Sequence, residues 1–211
     1  LHRSGHSFPT RRSTDLFNSI KKNNIDFFTG VPDSLLKEFC FCITDNTTKK
    51  QHIINSNEGS SIGLSIGYNL ATNKIPLVYF QNSGLGNIIN PYTSLAHESV
   101  FKIPMLLLIG WRGEPDKKDE PQHFFKGKIT EGLLKTLEID YEILKIDTKE
   151  SIKQIERIIK LVQEKQKPFA ILVKKNSFSK YKFQAPLNSS KLRRERCIEI
   201  ILNYLKKNDI I

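Results

Sequence analysis

Four segments of the 211-residue chain hold the side chains best suited to chemistry. They are NEGSS around Glu58, GVPDS around Asp33, QNSGLGN from Gln81 to Asn87, and GWRGEPDKKDEPQH with Arg112, Gln122 and His123. Glu58 is the sharpest of these. An acid in the first turn of a helix meets the positive end of the helix dipole. That accounts for a glutamate at this place, but not for the small and apolar helix behind it. Gly59, Gly63 and Gly67 recur every fourth residue and share one face, where a missing side chain lets another backbone or a flat ligand approach. A carboxylate at such an entrance is poorly hydrated, and a desolvated carboxyl can hold a proton or exchange it with a nitrogen heterocycle.

The other segments say less by themselves. Pro32, Asp33 and Ser34 read as a turn in which Asp33 or Ser34 caps the next helix. NSGLGN suits a tight turn or an anion at a helix start, and no Gly-Lys-Ser/Thr follows to make it a P-loop. Asp119, Glu120 and His123 read either as a solvated loop or as part of a site, and their spacing does not suit zinc.

The elements that must position these residues alternate. Helical pattern ends at Phe17–Asn24, and a short strand is expected at Asp26–Thr29. A helix to about Thr44, a strand at His52–Asn55 and the apolar helix after Glu58 come next. Strands are expected at Pro76–Phe80, Pro104–Ile109, Ile143–Ile146 and Phe169–Val173. Helices are expected near Ile88–His97, Ile129–Leu137 and Ser151–Gln163, with a polar loop over Gly110–Phe125. Alternating strands and helices predict an α/β fold with a mainly parallel sheet and helices on both faces, its ligands beyond the carboxyl ends of the strands. All four segments fall at such ends.

Composition bounds the rest. The formal charge is +11, with 38% hydrophobic residues. The lysines are scattered at element edges without a nucleic-acid motif, so no nucleic-acid partner is expected; a basic surface still steers small anions. No uninterrupted apolar run approaches the roughly 18 residues of a membrane span. Three cysteines without metal-ligand spacing suit a reducing, cytoplasmic compartment. Residues 1–16 differ from the remainder: SFPTRRSTDL resembles the translation of a sequencing adapter with one residue changed, and the segment is expected to be foreign and outside the fold. Without it the charge falls to +9, since Arg3, Arg11, Arg12 and Asp15 leave. Residues 17–175 are expected to form the α/β domain, 176–190 a linker, and 191–211 the start of a second domain. The alternative for the final helix is docking on the first domain.

Taken together, FFTGVPDSLLK, NEGSSIGLSIGYNLAT, VYFQNSGLGNIINPYTSL and IPMLLLIGWRGEPDKKDEPQH resemble the phosphonopyruvate decarboxylases, a thiamine-diphosphate-dependent family close to sulfopyruvate decarboxylase. The resemblance implies that residues 17–175 are the pyrimidine-binding domain. Glu58 would hydrogen-bond N1′ of the cofactor's aminopyrimidine, and Asn82, Ser83, Gly84, Leu85 and Gly86 would lie near that ring. Asp33 would face the substrate, His123 would handle protons beside Gln122, and Arg112 would meet the phosphonate or its access path. KLRRERCIEIILNYLKKNDII resembles the first helix of the family's pyrophosphate-binding domain, whose Gly-Asp-Gly and Asn-Asn segments, which bind diphosphate and Mg2+, do not occur here. The resemblance thus implies the amino-terminal portion of a decarboxylase of a small anionic 2-oxo acid, inactive alone, in a homodimer or higher oligomer. The alternatives are a sulfopyruvate decarboxylase α-type subunit and a catalytically silent binding or assembly module.

Overall fold

The computed structural model describes residues 13–184, 192–206 and 209. A six-stranded, wholly parallel sheet runs through the chain in the order β2-β1-β3-β4-β6-β5. The strands are β1 Phe28–Gly30, β2 His52–Ile54, β3 Leu77–Gln81, β4 Leu106–Gly110, β5 Asp140–Ile143 and β6 Phe169–Val173. The helices are α1 Ser13–Lys22, α2 Lys37–Asn46, α3 Glu58–Thr72, α4 Leu85–Pro91, α5 Pro121–Thr136, α6 Thr148–Lys165 and α7 Arg194–Tyr204.

The central strands β3, β4 and β6 are apolar except for Gln81 at the end of β3, because they are covered twice. Leu77 and Tyr79 of β3, with Leu106 and Leu108 of β4, pack against α1, α2 and α6 through Phe17, Phe39, Ile155 and Ile158. Their neighbours Val78, Phe80, Leu107 and Ile109 face the opposite way, onto Ile62 of α3, Ile88 of α4 and Leu134 of α5. The expected α/β class and the two-sided layering hold. The chain turns back between β1 and β3, where the strand order reverses, and the loops after these two strands diverge at the carboxyl edge.

Several expected boundaries move. α1 starts at Ser13 and Leu16 is 1% exposed in the core, so the fold begins ahead of residue 17; residues 1–12 lie outside the described residues. α5 starts at Pro121 rather than near Ile129, with Pro at its first position, where a missing N–H costs nothing. β5 lies at Asp140–Ile143, leaving Ile146 exposed. The segment expected as a linker is docked over residues 176–184: Phe178 stacks on Phe39, Phe183 stacks on Phe41, and Tyr181 N–H donates to Glu38. The rest of that linker, 185–190, lies outside the described residues. α7 has no buried residue, and Ile198, Ile201 and Leu202 are each about half exposed. No helix among the described residues is long and apolar enough to cross a membrane.

Leu16 tests the revised boundary. Leu16→Ala is expected to lower unfolding stability by about 2–5 kcal/mol, the cost of a core cavity, in chemical denaturation. A change within about 0.5 kcal/mol would mark the segment as unpacked surface.

Candidate active site

Glu58 opens α3 at the carboxyl end of β2. Asn57 caps the helix, its side-chain oxygen accepting from the N–H groups of Gly59 (2.8 Å) and Ser60 (3.3 Å). With those donors met by its neighbour, the Glu58 carboxylate is free to turn inward, and the residue is 8% exposed. Oε2 accepts from Asn87 Nδ2 at 2.7 Å. Oε1 lies over Gly84, where a Cβ would stand 2.6 Å from it and 2.4 Å from Glu58 Cγ. Only glycine leaves room for this carboxylate. Among the described residues, Glu58 makes no ion pair.

Asp33 follows β1 and is 7% exposed. It does not cap α2, whose N-cap Leu36 makes no side-chain capping bond. Instead Oδ1 accepts from Leu35 N–H at 2.8 Å, closing the local turn, and Oδ2 has no hydrogen-bond partner among the described residues. A Cβ on Gly110, at the end of β4, would fall 2.2 Å from Oδ1. Burial raises the Asp33 carboxyl above the ordinary range, opposed by the Leu35 and Ser34 N–H groups and by the charge of Arg112.

Arg112 is engaged within the chain. Its Nε bonds both Asp119 oxygens, at 2.9 and 3.2 Å, and NH1 donates to Ser34 Oγ at 3.0 Å. Asp119 also accepts from the N–H groups of Gly113 and Glu120, each at 2.8 Å. These hydrogen bonds, Arg112 first, hold its carboxyl far below the ordinary range. The pair ties the loop after β4 to the loop after β1, beside a cleft of about 350 Å³ whose lining includes Leu35, Lys175 and Phe178. Asn82 ties the same region from below: its Nδ2 donates to Arg112 O (2.8 Å) and Thr130 Oγ1 (2.9 Å), and its Oδ1 accepts from Arg112 N–H (3.1 Å).

The expected site residues therefore fall into groups. Glu58 and Gly84 meet directly, and Asp33 lies within the field of Arg112. Ser83 Oγ accepts from Gln81 (2.8 Å), Leu85 is buried in the core, and Gly86 is exposed with open space where a side chain would stand. Gln122 and His123 sit in the first turn of α5, not in a loop, exposed and half-buried respectively. Neither hydrogen-bonds Glu58 or Asp33 among the described residues. Asn87 was missed as a site residue although it closes the QNSGLGN segment, because its contact with Glu58 spans 29 residues.

The family model of the thiamine pyrophosphate enzymes' N-terminal TPP binding domain matches residues 11–133, more than half of the chain. The chain belongs to this family. The TPP-binding match runs from α1 through most of α5 and takes in both the Glu58 and Asp33 groups. The chain is 33% identical over 139 residues to a phosphonopyruvate decarboxylase of Streptomyces viridochromogenes, covering 65% of this chain and 34% of that protein. It is 36% identical over 161 residues to a sulfopyruvate decarboxylase subunit alpha of Methanococcus maripaludis, covering 76% of this chain and 93% of that subunit. It thus spans about a third of the phosphonopyruvate decarboxylase it matches. The benzoylformate decarboxylase of Polynucleobacter necessarius matches with a TM-score of 0.61 at 15% identity, covering 85% of this chain and 34% of that one, a likeness of fold.

The residues present fit the aminopyrimidine half of the family's cofactor: a buried carboxylate, one oxygen bound by a neutral amide, the other beside a glycine. Among the described residues, no cluster of three or more His, Cys, Asp or Glu could hold a metal ion.

Asp33 yields a pH test. Its folded-state value is raised, so its contribution to stability is fully present below the unfolded value of about 3.9 and is lost as pH rises through the folded value. Asp33→Asn keeps the acceptor for Leu35 and removes the charge. Relative to wild type, the variant is expected to gain stability between pH 3 and pH 7 in denaturant titrations. An unchanged difference at the two pH values would contradict a penalised carboxylate.

Proposed function

We propose that this chain is the pyrimidine-binding, amino-terminal part of a thiamine-diphosphate-dependent decarboxylase that converts 3-phosphonopyruvate to phosphonoacetaldehyde and carbon dioxide. The observation that carries the reading is Glu58: a carboxylate buried without a cation, at a helix start, with one oxygen left for a ligand. Thiamine diphosphate supplies, when bound, a thiazolium ring that accepts the electrons released as the carboxylate departs. Glu58 would hold the aminopyrimidine through N1′ and move a proton at that atom, where low hydration strengthens the exchange. Asp33, with a carboxyl raised by burial, is the chain's acid toward the substrate. His123 and Gln122 are assigned to proton handling and substrate contact from α5. Arg112 contributes its charge to the edge while Asp119 and Ser34 hold it, and the basic surface steers an anionic 2-oxo acid inward.

The same reading assigns the diphosphate and Mg2+ to the remainder of the enzyme, so the 211-residue chain alone is inactive. It assigns assembly as a homodimer or higher oligomer and a place in the cytoplasm, consistent with three free thiols. A second reading, a sulfopyruvate decarboxylase α-type subunit completed by a partner chain, is favoured by the 93% coverage of the Methanococcus subunit. Turnover of phosphonopyruvate against sulfopyruvate by the assembled enzyme separates the two.

Glu58→Gln tests the chemistry in the assembled, cofactor-loaded enzyme. The amide keeps the size but has no acidic proton. Exchange of the cofactor's C2 proton is expected to slow on the order of 10²-fold or more. The fold should be retained, with about 0.3–1 kcal/mol of dipole interaction lost. Equal exchange rates would leave Glu58 as a helix-start residue only.

A further inference from the structure

We propose that Asn87 is a positioning residue that confines the proton handled by Glu58 to a single carboxylate oxygen, Oε1. The inference rests on the reading of Glu58 above and extends it to a residue to which no role has been assigned. The Asn87 amide nitrogen carries two donors and no acceptor. At 2.7 Å from Oε2 it fixes that oxygen as an acceptor, and a proton on Oε2 would face a donor rather than a partner. The oxygen left to carry or release a proton is Oε1, which lies against the bare Cα side of Gly84 and accepts no hydrogen bond from the described residues. Asn87 thus sets which atom meets the ligand nitrogen without itself touching it.

The local structure holds Asn87 in place. Pro91 stands four residues on, where a helical N–H would otherwise bond the Asn87 carbonyl, and proline has none. That carbonyl instead faces α3, 2.8 Å from where a Cβ on Gly59 would stand. A larger residue at 59 would push α4 away and carry the Asn87 amide with it. Gly59 therefore sets the spacing of α3 and α4, and Gly84 the space for the carboxylate. Asn87 fixes its rotation. The hydrophobic contacts of Ile62, Ile66, Leu85 and Ile88 secure the pair of helices from beneath.

The roles separate by experiment. In the 211-residue chain, the Asn87 side-chain amide resonances are expected to shift in Glu58→Gln, which loses the charged acceptor at Oε2. In the assembled enzyme, Asn87→Ala removes the donor, and Asn87→Asp replaces it with an acceptor of nearly the same shape that can share a proton with Oε2. Both are expected to slow exchange of the bound cofactor's C2 proton by about 10-fold or more, the scale of one hydrogen bond to a charged group. Asn87→Asp alone should add a new step to the pH profile of exchange. Cofactor affinity should stay within about 3-fold, because the residue acts through Glu58. Wild-type exchange and an unchanged pH profile in both variants would overturn the proposal, as would losses that follow the fall in melting temperature. If Glu58→Gln also exchanges at the wild-type rate, the reading of Glu58 fails first. If Glu58→Gln slows exchange and the Asn87 variants do not, only the role of Asn87 fails.

Discussion

A buried carboxylate held by a neutral amide is the constraint that organises this chain. Taking a charge out of water costs several kcal/mol even after relaxation, and proteins ordinarily answer with a cation. Among the described residues Glu58 has none. What offsets the cost is local: the Asn87 amide, the amino end of a 15-residue helix, and a cap in which Asn57, not Glu58, satisfies the first N–H groups. A glutamate used only for the helix start would sit in solvent and need neither Asn87 nor the cavity at Gly84. Local rules are broken at functional sites more than elsewhere, and this is where the chain breaks them.

The parallel sheet makes the arrangement possible. All six strands end at the same edge, so Asp33 after β1, Glu58 after β2, Asn82 and Gly84 after β3 and Arg112 after β4 lie on neighbouring loops. Strands alone would leave those loops loose. Asn82 spends its amide on Arg112 and Thr130, and the Arg112–Asp119 pair reaches across to Ser34. These polar ties rigidify the edge and fix where α5 starts, hence where His123 stands. Gly84 and Gly110 provide the complementary space, one beneath Glu58 and the other beneath Asp33.

Much of the scaffold was legible because two-sided burial writes itself as unbroken apolar runs. Phe169–Val173 matches β6 residue for residue, and the apolar helix behind Glu58 matches α3. The beginning of α5 was not legible, since its first two turns leave Phe124 and Phe125 exposed and carry no apolar period. β5 was misplaced because it is an edge strand carrying Asp140 and Glu142, so the apolar residues after it drew the assignment. Composition set the boundary at residue 16, but burial of Leu16 overrides composition. In the site, residue types singled out Glu58 and Asp33, both of which the fold buries. They could not identify Asn87 or the engagement of Arg112 with Asp119, because a hydrogen-bond partner is set by how elements meet in space.

The central claim is that the Glu58 carboxyl meets the N1′ atom of the aminopyrimidine. The most direct test is the 15N resonance of N1′-labelled thiamine diphosphate bound to the assembled enzyme, compared with the same cofactor bound to Glu58→Gln. The account requires the N1′ resonance of the wild-type complex to lie toward that of a protonated or strongly hydrogen-bonded ring nitrogen, and to move back toward the free cofactor in the variant. An N1′ resonance at the same position in both complexes, with the cofactor demonstrably bound, would contradict it.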